Sequence, residues 1–292
     1  MAIFTGSGVA IVTPFKDRKV DFESLGKLID WQIEQGTDAI VICGTSGEAS
    51  TLTDEEQIET VTYTVKRVDK RVPVIAGGGS NDTHHGINLN IGLEQAGADA
   101  LLHVTPYYNK CTQKGLVMHY TAIADRVNIP IIIYSVASRT GVNINPSTVA
   151  ELARHPNIVG IKEASGNISQ VAEIARLVPE DFSIYSGNDD MIVPLLSLGG
   201  KGVISVVANI APKDTHEMVM KYLSGDVMGA CRLQLDMKPL IDAMFVEVNP
   251  IPVKAALYLM GRIELEYRLP LCPPEASSLE KIKQEMKAYG LL

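Results

Sequence analysis

Eight short runs rich in valine and isoleucine recur along the chain, and longer segments with helical periodicity separate them. The runs are continuous rather than alternating in polarity, which is typical of strands buried on both faces of a sheet. They cover residues 9–15, 39–44, 72–77, 100–105, 130–136, 158–162, 182–187 and 202–206. Their spacing of roughly 27 residues leaves room for one helix between successive strands, which forces parallel pairing and right-handed crossovers.

The segments between the runs carry helix signals. In residues 22–36, Leu25, Leu28 and Ile29 fall on one stripe, and Gly36 suits the end of a helix. Eight strand–helix repeats predict an α/β protein, a closed (β/α)8 TIM barrel. A doubly wound open sheet is the alternative, although no Gly-x-Gly-x-x-Gly follows the first run, as a dinucleotide-binding sheet would require.

After about residue 225 the strand-like runs stop. Residues 226–244, 252–260 and 275–289 have helical patterns, and prolines near residue 250 separate the first two. We therefore expect a catalytic barrel over residues 1–225 and a C-terminal helical domain over 226–292. The alternative is a barrel that ends in only a terminal pair of helices.

Charge and cysteine usage exclude several classes of function. The formal net charge of −8 provides no basic face for nucleic acid. The four cysteines lack CxxC spacing, and Asn188-Asp189-Asp190 lacks EF-hand spacing and is interpreted as a helix cap. We expect no metal. No apolar run approaches ~18 residues, so no membrane span is predicted. Because Lys16 is the first basic residue, a secretory signal is not indicated either, and we expect a cytoplasmic protein.

In such a barrel, reactive side chains lie at the C-terminal ends of the strands. Lys162 ends one strand-like run, where burial would favour the neutral amine that forms a Schiff base with a ketone. An ion pair with Glu163 is the alternative. Tyr134 ends the preceding run and could relay protons, or it could be a core aromatic residue.

Three further loops contain candidate binding residues. The loop 44–48, which includes Thr45 and Ser46, could offer backbone N–H groups to an anion or could be a plain turn. Arg139 could bind a carboxylate or lie in solvent. Tyr107 and Tyr108 follow the fourth run and suggest packing, often against a partner subunit.

Taken together, these residues resemble one family. The motif Gly160-Ile161-Lys162-Glu163-Ala164, the start Gly6-Ser7-Gly8-Val9-Ala10 and the segments 249–254 and 268–270 are similar to the Schiff-base, pyruvate-dependent aldolases of the dihydrodipicolinate synthase and N-acetylneuraminate lyase group. The resemblance covers nearly the whole chain. It implies condensation of pyruvate with aspartate 4-semialdehyde through a lysine Schiff base, without a metal or organic cofactor, in diaminopimelate and lysine biosynthesis.

The resemblance also implies a role for each site residue. Lys162 matches the imine-forming lysine, and Tyr134, Thr45 and Tyr108 match a proton chain in which Tyr108 is donated across a tight dimer. The remaining matches are to binding positions: Thr45 and Ser46 for the pyruvate carboxylate, Arg139 for the semialdehyde carboxylate, and Gly187 and Ile204 for the pyruvate pocket. A homotetramer, built as a dimer of dimers, is expected.

Departures from the family pattern leave the second substrate open. Ser135 and Ala137 stand where an asparagine and a proline are usual, so the loop that carries Arg139 could sit differently. The alternatives are an N-acetylneuraminate lyase, a 2-keto-3-deoxy-sugar-acid aldolase, or an inactive paralogue that binds a 2-oxo acid. His85 stands where strongly lysine-inhibited members often carry glutamate, so we expect weak or absent inhibition by lysine.

Overall fold

A computed structural model describes residues 2–292 of the chain. Eight parallel strands close into a barrel in which each strand pairs with the next along the chain, and the last pairs with the first. The barrel strands are β1 (Gly6–Ala10), β4 (Ala39–Ile42), β5 (Val74–Gly77), β6 (Ala100–Val104), β7 (Ile131–Ser135), β8 (Ile158–Glu163), β9 (Ser183–Ser186) and β10 (Gly202–Ser205). This confirms the predicted TIM barrel and excludes the open sheet.

Helices alternate with the strands and cover the outside of the barrel. Those of the barrel region are α1 (Phe22–Glu34), α2 (Asp54–Val68), α3 (Thr83–Gln95), α4 (Gln113–Ala124), α5 (Ala137–Thr140), α6 (Pro146–Leu152), α7 (Ile168–Leu177), α8 (Ile192–Leu196) and α9 (Pro212–Leu223). Three short 3₁₀ turns lie at Ala49–Thr51, Asp189–Met191 and Val207–Asn209. Thr53 and Glu56 form a reciprocal capping box at the start of α2, which satisfies two backbone donors there.

The strands bury both faces because alternate side chains enter two separate cores. Ile40 and Ile42 of β4 pack outward under the helices, whereas Ala39 and Val41 point into the barrel. The inner core also holds Tyr185, which stacks on Phe4 with ring centroids 4.4 Å apart. Phe4 thereby closes the interior of the barrel at its N-terminal end, which leaves the opposite end open for a site.

The first strand differs from the prediction of 9–15. It spans Gly6–Ala10, and its small residues Gly6, Ser7 and Gly8 carry no apolar signal. The chain leaves the barrel after Ala10, where the Val12 N–H is donated to Asn209 rather than to a strand. Phe15–Lys16 (β2) instead pairs with Lys19–Val20 (β3) in a short antiparallel hairpin.

The C-terminal region is helical, as predicted, but its first segment is broken. Residues 226–244 form α10 (Val227–Asp236) and α11 (Lys238–Ala243), because Pro239 lacks the N–H that would continue one helix. Two helices, α12 (Ile251–Leu259) and α13 (Ala276–Tyr289), complete the chain. A domain boundary at 225/226 stays a prediction. None of the helices formed by residues 2–292 has the length and hydropathy that crossing a bilayer requires.

Candidate active site

A cavity of about 850 Å³ opens at the C-terminal end of the barrel strands. Residues at the ends of all eight barrel strands, or in the loops that follow them, form its wall. The predicted site residues among them are Thr45, Ser46, Tyr134, Arg139, Lys162 and Gly187. The barrel therefore brings together most of the residues singled out from the sequence.

Lys162 lies near the end of β8 and points into the cavity, with only 5% of its surface exposed. Burial lowers the pKa of its ammonium group from 10.5 to about 8; the carboxylate of Asp189 opposes this shift and the guanidinium of Arg139 adds to it. A substantial neutral fraction of the amine is therefore available near neutral pH, as nucleophilic attack on a ketone requires.

The alternative ion pair between Lys162 and Glu163 is wrong. Consecutive residues of a strand point to opposite faces, so Glu163 faces outward while Lys162 faces the cavity. The Glu163 carboxylate accepts hydrogen bonds from the Ser165 N–H at 3.2 Å and from Gln170 Nε2 at 2.9 Å. Within residues 2–292, Lys162 forms no salt bridge, so its amine is not held by a permanent counter-ion.

Tyr134 lies beside Lys162 on the neighbouring strand. The two residues are register partners between β7 and β8, and the Lys162 Nζ lies 4.4 Å from the centroid of the Tyr134 ring. Burial raises the pKa of the Tyr134 phenol to about 12, which keeps it protonated and able to donate. In the part of the chain that is described, its hydroxyl forms no hydrogen bond, to Thr45 or to any other residue.

The loop 44–48 turns sharply between two left-handed residues, Cys43 with φ of 53° and Glu48 with φ of 53°. The N–H groups of Gly47 and Glu48 fold back onto carbonyls of the same loop. By contrast, the N–H groups of Thr45 and Ser46 donate to no atom of residues 2–292. Adjacent free N–H groups in such a turn form an anion-binding nest, so the loop can hold a carboxylate.

Arg139 reaches the rim of the cavity from the short helix α5. Its Nη2 donates to the carbonyl oxygen of Asn249 at 3.1 Å, and the rest of the side chain is exposed. The departure at Ser135 is accommodated inside the loop, because its hydroxyl accepts the Ile144 N–H at 3.2 Å. Ala137 simply begins the helix. The guanidinium thus remains available to a second carboxylate.

Gly187 allows close packing behind the amine. A Cβ at this position would lie 2.6 Å from the Ala164 Cβ and 3.1 Å from the Lys162 Cε, so a larger residue would displace the lysine. Ile204 is different. It is fully buried in the inner core of the barrel and is not part of the cavity wall, so its predicted contact with pyruvate stays a prediction.

The chain does not bring Tyr108 into its own cavity. The Tyr108 side chain is 92% exposed, and its backbone holds a φ of 69°, which is unfavourable for a non-glycine residue. Its neighbour Tyr107 lines the cavity instead. Strain that presents an aromatic side chain to solvent is consistent with a contact outside this chain.

Three residues support the site in roles that the sequence did not indicate. Asn249 holds the Ser46 hydroxyl through its side chain, with Nδ2 3.0 Å from Oγ. Glu48, the last residue of the anion-binding loop, pairs with Lys254. Asp189 does not cap a helix with its neighbours; its buried carboxylate accepts the N–H groups of Val206 and Val207 at 3.1 and 2.9 Å. The motif Asn249-Pro250 was the only local signal.

The comparisons with known proteins agree with this geometry. A model of the dihydrodipicolinate synthetase family matches residues 3–289. The 4-hydroxy-tetrahydrodipicolinate synthase of Thermoanaerobacter sp. (strain X514) is 57% identical over 100% of this chain and 99% of its own length.

Two solved structures share the whole fold. The dihydrodipicolinate synthase of Thermotoga maritima superposes with a TM-score of 0.98 at 45% identity, covering 100% of both chains. The chloride-inhibited dihydrodipicolinate synthase of Acinetobacter baumannii, complexed with pyruvate, superposes with a TM-score of 0.97 at 45% identity, covering 99% of each chain. With its barrel, its buried lysine and these likenesses over its full length, this chain belongs to the dihydrodipicolinate synthetase family.

Proposed function

We propose that this protein condenses pyruvate with aspartate 4-semialdehyde to give 4-hydroxy-tetrahydrodipicolinate and water, in diaminopimelate and lysine biosynthesis. The observation that carries the proposal is the buried amine of Lys162, which faces the cavity without a counter-ion and has its pKa lowered to about 8. The relatives named 4-hydroxy-tetrahydrodipicolinate synthase support the same reaction.

The first half of the reaction takes place on pyruvate. The neutral amine of Lys162 attacks the ketone carbon, and loss of water leaves a protonated imine. The Thr45 and Ser46 N–H groups hold the pyruvate carboxylate, because both residues line the cavity and these N–H groups have no partner in the rest of the described chain. The cationic imine withdraws electrons, so the methyl group loses a proton and becomes the nucleophilic carbon of an enamine.

The second half adds the aldehyde. The enamine carbon attacks the aldehyde carbon of the semialdehyde, and the aldehyde oxygen takes up a proton. The amino group of the bound substrate then attacks the imine carbon and expels the Lys162 amine, which closes the ring. Arg139, exposed at the cavity rim, binds the semialdehyde carboxylate. A charged guanidinium suits this acceptor, which carries a carboxylate, better than it suits a neutral, sugar-like aldehyde.

Tyr134 is proposed to carry protons between these steps. Its phenol lies next to the reacting nitrogen and, with its pKa raised to about 12, exchanges protons rather than resting as a phenolate. Thr45 and Tyr108 complete the chain, with Tyr108 supplied by a second subunit. The exposed, strained Tyr108 supports this sharing, and we propose a homotetramer made of two tight dimers.

All four cysteines are free thiols, which supports the cytoplasm as the place of action. The test of the function is an assay of the purified protein with pyruvate and each acceptor: aspartate semialdehyde, N-acetylmannosamine and simple sugar aldehydes. We expect turnover with the semialdehyde. Turnover with a sugar alone would establish the alternative aldolase, and a protein that binds pyruvate without any turnover would be a sensor.

A further inference from the structure

The last residue of the anion-binding loop 44–48 forms a buried ion pair with Lys254. The Lys254 ammonium, on α12, donates to Glu48 Oε1, and both side chains are completely buried. The Lys254 Nζ also lies 4.4 Å from the centroid of the Phe15 ring and 5.0 Å from that of Tyr267. Neither charged group lines the cavity, so neither can touch substrate.

Every polar group of Glu48 has a hydrogen-bond partner. Its second carboxylate oxygen accepts the Arg268 N–H at 3.2 Å, and its carbonyl accepts the Thr51 N–H at 3.0 Å. Its own N–H reaches back to the Thr45 carbonyl at 3.2 Å. The left-handed backbone of Glu48 therefore links the side-chain ion pair to the peptide that follows Thr45.

A buried ion pair is an inefficient source of stability. Removing two charges from water costs roughly what their attraction returns, so well-packed neutral side chains are often as stable. The pair instead fixes the positions of its two residues, because a charged partner in a low-dielectric interior tolerates little displacement. The geometry that it fixes here is that of a loop with two free N–H groups.

We propose that Glu48 and Lys254 are positioning residues, which hold loop 44–48 so that the Thr45 and Ser46 N–H groups converge on the carboxylate of the 2-oxo acid. The C-terminal helices thereby complete the first substrate's binding site from more than 200 residues away. The proposal rests on the proposed function, because it assigns the loop to pyruvate.

The decisive variant is the double substitution E48Q/K254M, which removes both charges together and leaves no unpaired charge in the interior. Its readout is trapping of the pyruvate imine with borohydride, followed as covalent mass over a range of pyruvate concentrations. We expect the half-saturating pyruvate concentration to rise about tenfold or more, whereas the maximal trapping rate changes about threefold or less. The variant D38N is the matched control, because Asp38 flanks β4 at its opposite end, where its carboxylate accepts the Ser7 N–H and pairs with His216.

The possible results distinguish a failure of the proposed function from a failure of the positioning role. If the wild-type protein gains no covalent mass with pyruvate, the proposed function itself is overturned. If the wild type is labelled and the folded double variant saturates at the same pyruvate concentration, the ion pair is only structural. Should the double variant not fold, E48D decides, since it keeps the charge pair and withdraws it by one methylene. A raised half-saturation supports the proposal, and an unchanged one overturns it.

Discussion

The amine of Lys162 lies over the ring of Tyr134, 4.4 Å from its centroid, and the two residues are register partners on adjacent strands. Backbone pairing places the two residues side by side on their strands, so neither depends on a loop for its position. Burial shifts both pKa values toward the neutral form, downward for the amine and upward for the phenol. The pair thus presents a nucleophile beside a proton donor at neutral pH.

Imine formation should follow the protonation state of Lys162. Because burial lowers the pKa of Lys162 to about 8, the neutral fraction grows with pH up to that value and then levels. With pyruvate well below saturation, we expect the initial rate of borohydride-trapped adduct to rise about tenfold per pH unit below pH 8 and to flatten above it. A trapping rate that keeps rising up to pH 10 would show that Lys162 has the pKa of an ordinary lysine, and it would contradict this prediction.

Replacing Lys162 by methionine should stabilise the protein while it abolishes activity. The folded-state pKa lies below the unfolded value of 10.5, so the cost of burying the ammonium is fully present below pH 8 and fades between pH 8 and 10.5. Urea unfolding at pH 7 should show a gain of up to about 3 kcal/mol for K162M. The gain should shrink as the pH approaches 10. A destabilised K162M at pH 7 would contradict the burial argument.

Sharing of Tyr108 between subunits can be tested by combining two impaired variants. The variant K162A retains Tyr108, and Y108F retains Lys162, so a site formed across the two chains has both groups. We expect Y108F to lose at least about tenfold in kcat. Mixed oligomers made by co-expression should regain activity above the sum of the two parents. Full activity of Y108F, or of a monomer in sedimentation, would remove the role given to this tyrosine.

Lysine should inhibit weakly or not at all. The resemblance implies a glutamate at position 85 in strongly inhibited members, but here His85 lies with its Nε2 2.9 Å from Asp54 Oδ1, so that carboxylate already has a partner. The His85 Nδ1 is also engaged, 2.9 Å from the Ser80 hydroxyl. A titration of the condensation assay with L-lysine, with D-lysine as the control, measures this. Half-inhibition by sub-millimolar L-lysine would contradict the prediction.

The barrel could be predicted from the sequence, because a strand buried on both faces is a continuous apolar run. Residues 39–44 and 130–136 are examples. The prediction misplaced the first strand, because Gly6, Ser7 and Gly8, three of the 5 residues of β1, have no apolar side chain. Lys162 could be found as well, since a lysine that ends a buried strand is a local signal.

The support of the site could not be read from the sequence. Asn249 meets Ser46 across 203 positions of the chain, and Lys254 meets Glu48 across 206. No periodicity or spacing links residues that far apart; only the closure of the barrel and the packing of α12 against the loop bring them together. The same limit applies to Tyr108, because we propose that its partners belong to a second subunit.

Covalent trapping is the most direct test of the account. The protein is incubated with pyruvate and borohydride, digested, and mapped by mass spectrometry, with K162A treated in parallel. We predict one reduced pyruvate adduct, located on Lys162, and none in K162A. A wild-type protein that gains no mass, or an adduct on Lys254 or any other lysine that persists in K162A, would contradict it.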